Sequence, residues 1–463
     1  MGIAEAPPGQ QQSQRIALIT LVISSFALPL LLSSITVALP SVARALRMDA
    51  IQLSWVQLTF LTTSAATVLA FGRLADLVGR KRIYALGTLA LLVSSVLAAG
   101  AQSAEMLLTC RVLQGASAAM IYATQLAILT SVYPPEQRGQ AIGMLVSAVY
   151  FGLTCGPLLG GWLIEHFSWR AAFVAHLPLT LLVLLVGIPR IKGEWKADKP
   201  GRFDVTGALL YAGSIVCLMW GGANLPQRSG FSGLLVGALG LVVFFRHQRQ
   251  RTDPLFEVNL FYTNRVFAWS SLASLLMYAT TYSTLVLVSL YLQYLKGLTP
   301  TQTGLVILAQ PLMSALLSPV AGRLSDRIEP RVIATLGVVI TGLGLCMLAR
   351  LTPLSPLVYV TACLVTTGIG FSLFSSPNAN AIMSGIDKRL YGTAGAVVAT
   401  MRVLGQLCSM GLVAMAFALT MGRVEIVPAN YPQLARALHL SFVLAAGLCL
   451  PAIWCSLARG KMR

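Results

Sequence analysis

The sequence is short of charged residues, and above all of acidic ones. Only 10% of its 463 residues are charged, and 15 Asp and Glu stand against 33 Lys and Arg. A soluble globular chain carries about 25% charged residues, and the mean hydropathy here is +0.76. These values exclude an ordinary soluble domain and predict an integral membrane protein.

Cysteine and histidine are too few and too scattered to indicate a metal site, a disulfide framework or a catalytic centre. The eight cysteines lie in apolar stretches without ligand spacing, and the four histidines are far apart. An enzyme needs a clustered nucleophile, an acid pair or a metal site, and an ATP-driven pump needs a phosphate-binding loop. The sequence offers none of these, so we expect no enzyme, no catalytic or metal-binding residue and no cofactor.

The net charge of +18 suggests an anionic partner, but its distribution argues against nucleic acid. The cations are scattered through short loops between apolar runs, without a basic helix face or an interleaved aromatic platform. We therefore expect the lipid bilayer and a small-molecule substrate as partners, and no nucleic acid.

Long apolar runs recur along the chain. A helix that crosses a bilayer needs roughly 20 mostly apolar residues, and fourteen runs qualify, the eighth being short. The predicted fold is therefore an all-α membrane protein with fourteen transmembrane helices. The predicted spans lie near residues 16–38, 52–73, 83–101, 106–131, 139–162, 171–189, 205–222, 231–245, 267–292, 302–321, 332–349, 355–376, 391–420 and 438–457.

The distribution of Lys and Arg sets the predicted orientation. With the N-terminus in the cytoplasm, 23 of these residues fall in cytoplasmic segments and 8 on the other side. We therefore expect a multi-pass protein of the cytoplasmic (inner) membrane with both termini in the cytoplasm.

One charged phrase occurs twice. The stretch GRLADLVGRKR begins at Gly72 between spans two and three, and GRLSDRIEPR begins at Gly322 between spans ten and eleven. Repeated halves are typical of transporters that bind substrate at the interface between the repeats. The predicted segments are a cytoplasmic tail at 1–15, an N-terminal six-helix bundle at 16–190, loops and two linker helices at 191–265, a C-terminal six-helix bundle at 266–458 and a cytoplasmic tail at 459–463.

Several motifs, in order along almost the whole chain, are similar to those of the major facilitator superfamily. The stretch at Gly72 resembles its signature loop, CRVLQGASAAM resembles its fourth-span motif, and GLTCGPLLGGWL resembles the fifth-span motif of its exporters. WRAAFVAHLP, DPLFEVNLF and YLQYLKGLTPTQTG resemble the fourteen-span drug:proton antiporters of the multidrug efflux type. The resemblance implies two six-helix bundles of the major facilitator fold with two linker helices.

The signature loop supplies candidate residues for a conformational latch. A carboxylate that binds a helix terminus or an arginine in one state, and loses that bond in another, would hold one end state. A static tie within the loop is the alternative. The candidate latch residues are Gly72, Asp76, Gly79, Arg80 and Asp326.

The exporter motif supplies residues for a close and movable helix contact. Glycines let helix backbones approach, and proline frees a carbonyl and permits a bend. Plain helix packing is the alternative. The motif residues are Gly152, Gly156, Pro157, Gly160 and Gly161.

Polar side chains in spans four, nine and thirteen are the candidate substrate contacts. In span four they recur every three or four residues, so they share one helix face. An arginine on that face is costly in lipid, so the face is expected to line a cavity or contact protein. For each residue, a structural bond between helices is the alternative. The candidates are Arg111, Gln114, Tyr122, Gln125, Tyr278, Tyr282, Arg402 and Gln406.

The chain departs from the family that it resembles in span one. That family has an aspartate nine residues before the proline of its ALP phrase, and counting back from Pro40 reaches Leu31. No Asp or Glu lies deep in any predicted span, so the candidates for proton coupling are Glu165 and His176. A surface anion paired with Arg170 is the alternative for Glu165, and a helix-capping or packing histidine is the alternative for His176.

Together these patterns predict a secondary active transporter that exports hydrophobic or amphipathic compounds by alternating access. We expect it to act as a monomer, with protons as the candidate coupling ion. A cavity with two arginines and no acid favours anionic or neutral ligands. The alternative is an organic-anion or neutral-metabolite carrier or facilitator without proton antiport.

Overall fold

The computed structural model describes residues 8–191, 193–196, 202–251, 254–256, 258–325, 327–384 and 391–460. Within these residues, fourteen helices are long and apolar enough to cross a membrane. They are α1 (Pro8–Leu46), α2 (Ala50–Val78), α3 (Arg80–Ala99), α4 (Ala104–Val132), α5 (Pro135–His166), α6 (Ala171–Arg190), α7 (Val205–Ala223), α8 (Arg228–Arg249), α9 (Arg265–Leu295), α10 (Pro300–Ser325), α11 (Pro330–Ala349), α12 (Leu357–Ser384), α13 (Tyr391–Thr420) and α14 (Tyr431–Ala458).

The first six and the last six helices form two bundles with matching internal contacts. In the first bundle α1 packs on α5, and α4 packs on α2 and α3. In the second bundle α9 packs on α13, and α12 packs on α10 and α11. The bundles meet where α2 contacts α13 and where α5 contacts α10, and the repeat relates these two contacts to each other. The predicted fourteen-helix fold of two bundles is confirmed.

Two linker helices, α7 and α8, pack on each other beside the bundles, and α7 also contacts α2 and α13. Asp204, at the start of α7, holds the pair together by accepting hydrogen bonds from Gln248 Nε2 at 2.8 Å and from His247 Nε2 at 3.1 Å. Burial acts to raise the pKa of Asp204, but these bonds and one from the Gly207 amide outweigh it and hold the pKa below its usual range.

The described ends of the chain, Pro8 and Gly460, lie on one face of the bundles, because the number of described spanning helices is even. We call this face the terminal face and the opposite one the distal face. Helix α1 begins at Pro8, so part of the stretch predicted as a tail at 1–15 is helical. Proline suits the first turn of a helix, and the residues at 10–15 contain no helix breaker. Residues 1–7 lie outside the described range.

Proline interrupts two of the spans. Helix α6 is broken at His176, just before Pro178, and includes a π-helical turn at Val183–Gly187 before Pro189. Helix α10 is broken at Leu308, three residues before Pro311. A proline donates no backbone hydrogen bond, so the ladder opens one turn before it and the helix bends there.

The glycines of the exporter motif bring α5 against α1. A Cβ added at Gly152, Gly156 or Gly160 would meet backbone or side-chain atoms of α1. The Ser33 hydroxyl donates to the Gly152 carbonyl at 3.3 Å, and the Ser34 hydroxyl donates to the Gly156 carbonyl at 3.0 Å. This close contact joins the two helices into one unit of the first bundle.

The distal ends of the two bundles are in contact. Gly161 of α5 faces the backbone of Pro300 on α10, and Gly304 of α10 faces the backbone of Pro157 on α5. Neither glycine leaves room for a Cβ. Further cross-bundle bonds are those from the Ala50 amide to the Val424 carbonyl (2.9 Å), from Gln293 Nε2 to the Val37 carbonyl (2.9 Å) and from the Tyr294 hydroxyl to the Pro40 carbonyl (3.4 Å).

Arg459 belongs to the second bundle, although the sequence predicted it as the first residue of a tail at 459–463. Its side chain is buried and donates to Asn378 Oδ1 at 3.0 Å and to the Pro330 carbonyl at 3.1 Å. It therefore ties the end of α14 to α12 and α11. Burial lowers the pKa of Arg459 to about 10, so the guanidinium stays charged at neutral pH. Residues 461–463 lie outside the described range.

The Gly161–Pro300 contact predicts that a single methyl group will open the distal side. In Gly161→Ala the added Cβ meets backbone that has no rotamer to adjust, so the closed state should lose about 1–3 kcal/mol relative to the open one. The measurement is the distance between labels at the distal ends of α5 and α10. Gly143→Ala, on the same helix with nothing within 4 Å of the new Cβ, is the matched control. Equal distances in the two variants would contradict the prediction.

Candidate functional site

A cluster of tyrosines around one arginine lies where the two bundles meet inside the membrane. The guanidinium carbon of Arg402 on α13 is 5.5 Å from the ring centroid of Tyr122 on α4, so this contact joins the bundles. Tyr278 and Tyr282 on α9 are partly buried, as Arg402 is. Tyr282 interacts electrostatically with Tyr122. The structure thus brings four of the predicted substrate contacts together.

Tyr150 of α5 completes this cluster, and the sequence analysis missed it. Its hydroxyl lies 2.9 Å from the Ser375 hydroxyl on α12, and it interacts electrostatically with Tyr278 and Arg402. Tyr150 is a single tyrosine in an apolar span. Only its position two residues before Gly152 could have drawn attention to it. We call Tyr122, Tyr150, Tyr278, Tyr282 and Arg402 the interface cluster.

The interface cluster carries a positive charge that no described carboxylate balances. Arg402 Nε is buried without a hydrogen-bond partner among the described residues. The acidic residues whose backbone the structure describes all stand at helix ends or in loops. They are Asp49, Asp76, Glu105, Glu136, Glu165, Glu194, Asp204, Glu329 and Glu425. An unfilled donor beside aromatic faces suits a ligand with an aromatic body and an acceptor or anionic group.

Two of the three predicted glutamines, Gln125 and Gln406, differ in their surroundings. Gln125 Nε2 donates to the Leu21 carbonyl at 2.9 Å and to the Ser25 hydroxyl at 2.7 Å, which ties α4 to α1. Gln406 is partly buried and follows Arg402 by one helical turn, so the two share a face of α13. Gln125 therefore has a structural bond already, whereas Gln406 extends the polar surface around Arg402.

Arg111 lies inside the first bundle, where it has no exposed surface. Its Nε donates to the Val56 carbonyl at 2.8 Å, its Nη1 to Gln114 Oε1 at 2.7 Å and its Nη2 to Gln57 Oε1 at 3.3 Å. The guanidinium carbon also lies 4.6 Å from the ring centroid of Phe60. Each of the three guanidinium nitrogens thus binds α2 or α4.

The bonds of Arg111 continue into a wider polar network. Gln114 Nε2 donates to the Ser95 hydroxyl at 2.8 Å, and that oxygen lies 3.4 Å from Nε2 of the buried His176. On the other side Gln57 Nε2 donates to the Thr36 hydroxyl at 3.4 Å. The network therefore crosses α1, α2, α3, α4 and α6. His176 stands at the N-cap position where α6 is broken, but its buried side chain makes no capping bond and points into the bundle.

Arg111 and Gln114 make no ligand contact in this conformation, because neither has exposed surface. In this conformation Arg111 and Gln114 make structural bonds between helices, as the alternative to substrate binding predicts. Arg111 interacts electrostatically with Tyr282 of the interface cluster. From its position inside the first bundle it therefore adds to the positive potential at that cluster. A direct role in substrate binding stays a prediction for both residues.

Leu31 occupies the position at which the resembled family carries its span-one aspartate. Its side chain is fully buried in the apolar core of the first bundle. The position therefore serves packing in this protein.

The signature loop is held by a pair of charges within the first bundle. Arg80 Nε and Nη2 each lie 2.9 Å from Asp76 Oδ1, and Arg80 Nη1 donates to the Ser131 hydroxyl of α4 at 2.9 Å. Asp76 thus has an arginine partner, as one form of the latch prediction requires. Glu194, from the loop after α6, accepts from the Lys81 amide at 2.9 Å and covers the start of α3.

The two glycines of this loop are required to different degrees. Gly79 has φ of +132°, and an added Cβ would meet Glu194, so only glycine fits there. At Gly72 a Cβ would stand 3.8 Å from Ala123, an ordinary contact. Asp326, the counterpart of Asp76 in the second half, lies outside the described residues.

Glu165 lies at the distal contact between the bundles and outside the interface cluster. Its Oε2 accepts from the Thr301 amide at 3.2 Å, so an exposed carboxylate of α5 caps the first turn of α10. The exposed position of Glu165 agrees with the alternative of a surface anion. Its suggested partner Arg170 has other contacts: Arg170 Nη2 donates to the Ala101 carbonyl at 3.0 Å and its guanidinium covers the Trp169 ring.

Comparison with protein families gives a match over most of the chain. The family described as the Major Facilitator Superfamily matches residues 21–410. A solved structure of similar fold is that of the human organic anion transporter MFSD10 (TETRAN), with a TM-score of 0.63, 16% sequence identity, and coverage of 97% of this chain and 100% of that one. At this identity the structure shows likeness of fold alone.

Relatives that match most of the chain are named as transport or drug-resistance proteins. The chain is 28% identical over 442 residues to the riboflavin transporter RibZ of Clostridioides difficile (strain 630), covering 94% of this chain and 95% of the relative. It is 29% identical over 378 residues to the multidrug resistance protein Stp of Mycobacterium tuberculosis (strain CDC 1551 / Oshkosh), covering 80% of this chain and 70% of that protein. These names agree with the expectation of a transporter rather than an enzyme.

Proposed function

Because this chain belongs to the Major Facilitator Superfamily, we propose that it is a secondary transporter that exports neutral or anionic aromatic amphiphiles by alternating access. The observation that carries the proposal is the interface cluster, in which helices of both bundles surround a cation that lacks a carboxylate partner among the described residues. Ligand held between the bundles is exposed to one face or the other as they rock.

The closed distal side supports loading from the terminal face. The Gly161 and Gly304 contacts hold the distal ends together, and we propose that ligand enters from the terminal face in this state. We propose that this face is cytoplasmic, as the excess of Lys and Arg in its segments predicts, and that the membrane is the cytoplasmic (inner) membrane. We propose a monomer as the transporting unit.

One observation favours a second candidate, an organic-anion or neutral-metabolite carrier without proton antiport. The interface cluster contains no described carboxylate that could bind proton and substrate in turn. The similarity to a protein named a riboflavin transporter over 94% of the chain supports the same reading. Dependence of transport on an imposed pH gradient separates the two candidates.

The charge of Arg402 predicts selectivity between ligands of the same shape. In Arg402→Gln the affinity for an aromatic carboxylate should fall about tenfold, since a charge-assisted bond contributes roughly 1.5–3 kcal/mol. The affinity for the methyl ester of the same compound should change little. The measurement is competition by acid and ester against a transported dye in proteoliposomes, with Arg402→Lys as the charge-retaining control. Equal losses of affinity for the acid and the ester would show that Arg402 does not distinguish ligands by their charge.

We propose that Asp76 acts as a latch at the terminal face, through its bond to Arg80. Asp76→Asn keeps the shape of the side chain and removes its charge, so the link to Arg80 should weaken and transport should fall severalfold in protein that still folds. The matched control is Glu194→Gln, which changes the other acid at the same loop. Transport rates in proteoliposomes and the elution profile of each variant are the measurements. If Asp76→Asn transports at the wild-type rate, Asp76 is not a latch and its bond to Arg80 only holds the loop in place.

We propose Glu165 as the first candidate for proton coupling and His176 as the second. Opening of the distal side would separate Glu165 from the Thr301 amide, so its carboxylate alternates between a bonded and a free state. In Glu165→Gln, accumulation driven by a pH gradient should stop while ligand exchange without a gradient continues.

His176→Asn provides the parallel test of the buried histidine. Persistence of gradient-driven accumulation in both variants would eliminate both residues. A wild-type protein whose transport ignores the gradient would instead support the carrier without proton antiport.

A further inference from the structure

A second cavity lies on the distal side, away from the interface cluster, with a volume of about 360 Å³. It is enclosed by the start of α2, the end of α7, the loop to α8 and the end of α13, and so by parts of both bundles and the linker pair. Its volume lies within the roughly 300–1,000 Å³ of small-ligand sites. Its lining includes Trp55, Trp220, Gln227, Ala418 and Arg423.

This cavity borders the lipid. Leu209, Val216 and Trp220 of α7 are 68%, 49% and 45% exposed, and their spacing of seven and four residues places them on one helix face. An exposed apolar face of a membrane helix contacts acyl chains. Trp220 is the last of the three and stands near the distal end of α7, at the depth where tryptophan meets lipid headgroups.

The polar side of the cavity is suited to an anion. Arg423 is exposed, and no hydrogen bond or ion pair of its side chain occurs among the described residues. Helix α8 begins next to Gln227 without a side-chain cap. The Gly230 and Phe231 amides donate to the Gln227 carbonyl, so the Arg228 and Ser229 amides and the positive end of the helix dipole remain to bind a ligand. The other charges near the cavity are Arg228, the first residue of α8, Glu425, two residues after Arg423, and Asp49, which pairs with Glu425 in an antiparallel bridge. The Asp49 carboxylate is engaged as the cap of α2.

An apolar entrance at headgroup depth and a cationic wall point to one class of occupant. A soluble anion would use the cation and the amides but would gain nothing from the lipid-facing entrance. A phospholipid uses both, since its phosphate can meet Arg423 and the α8 amides while its chains remain against Val216 and Trp220. We propose that this cavity binds the phosphate headgroup of an anionic phospholipid of the distal leaflet.

The position of the site gives the lipid an effect on conformation. Trp55 lies on α2 of the first bundle, and Arg423 follows α13 of the second, and these helices contact each other in the distal-closed state. A lipid in the cavity contacts residues of both helices only while α2 and α13 stay together. The lipid therefore binds the distal-closed state more tightly and raises the population of that state. This consequence concerns the fold and does not depend on the substrate proposed above.

The site predicts that anionic lipid stabilises the protein through Arg423. The full chain in mild detergent is titrated with phosphatidylglycerol or with phosphatidylcholine, and the rise in Tm is recorded. We expect the wild type to respond to phosphatidylglycerol more than to phosphatidylcholine. Arg423→Gln should need about fivefold more phosphatidylglycerol for half of the rise. Ala418→Phe, which fills the cavity and keeps Arg423, should lose most of the response.

Arg436→Gln is the matched control, because Arg436 is exposed at the distal end of α14 and outside the cavity lining. It should respond as the wild type does. Equal responses of Arg423→Gln and Arg436→Gln would overturn the proposal. So would a full rise in Tm with sn-glycerol 3-phosphate alone, since that result would assign the cavity to a soluble anion.

Discussion

The architecture depends on a contact between two backbones, that of α5 with α10. Where Gly161 meets Pro300 and Gly304 meets Pro157, there are no side chains that could change rotamer to absorb a small movement. The helices are therefore either in contact or apart, and packed interfaces of this kind behave as two-state elements. Helix α1 is expected to move together with α5, because the serines of α1 donate hydrogen bonds to carbonyls of the exporter motif. The closed distal side, the position of the interface cluster and the bond between Glu165 and Thr301 all follow from this contact.

The shortage of Asp and Glu determines the electrostatics of the membrane-spanning part of the protein. The described carboxylates act at helix ends, where Asp49 caps α2 and Asp204 joins the linker helices. Cations inside the bundles are stabilised by other groups. A carbonyl and two side-chain amides surround Arg111, and the aromatic face of Tyr122 lies beside Arg402. Neutral dipoles and π faces leave the positive charge uncancelled, so its potential extends into the space between the bundles.

Sequence patterns predicted the fourteen helices, the repeat and most of the interface cluster, because these rest on long apolar runs and on residues spaced along one helix face. They did not show which polar residues of a face point inward to the bundle. Arg111 and Tyr122 share a face of α4, yet one is sealed by α2 and the other reaches α13, and only the packing of neighbouring helices distinguishes them. Tyr150 and Arg459 were missed for the same reason, since a single polar residue in or beside an apolar run has no period. The ends of α1 and α14 were misplaced where helix continues past the apolar stretch.

The origin of the partners of Arg111 bears on how the chain enters the membrane. An arginine at the centre of a span costs roughly 2.5–3.5 kcal/mol during insertion. Arg111 is the eighth of the 29 residues of α4, so its cost is of the same kind but smaller. Its acceptors outside α4, the Val56 carbonyl and Gln57, belong to α2, which is synthesised before α4. When α4 leaves the ribosome, the groups that neutralise its cation can already be in the bilayer. The order of helices along the chain thus lets the first bundle assemble during translation without exposing a bare guanidinium to lipid.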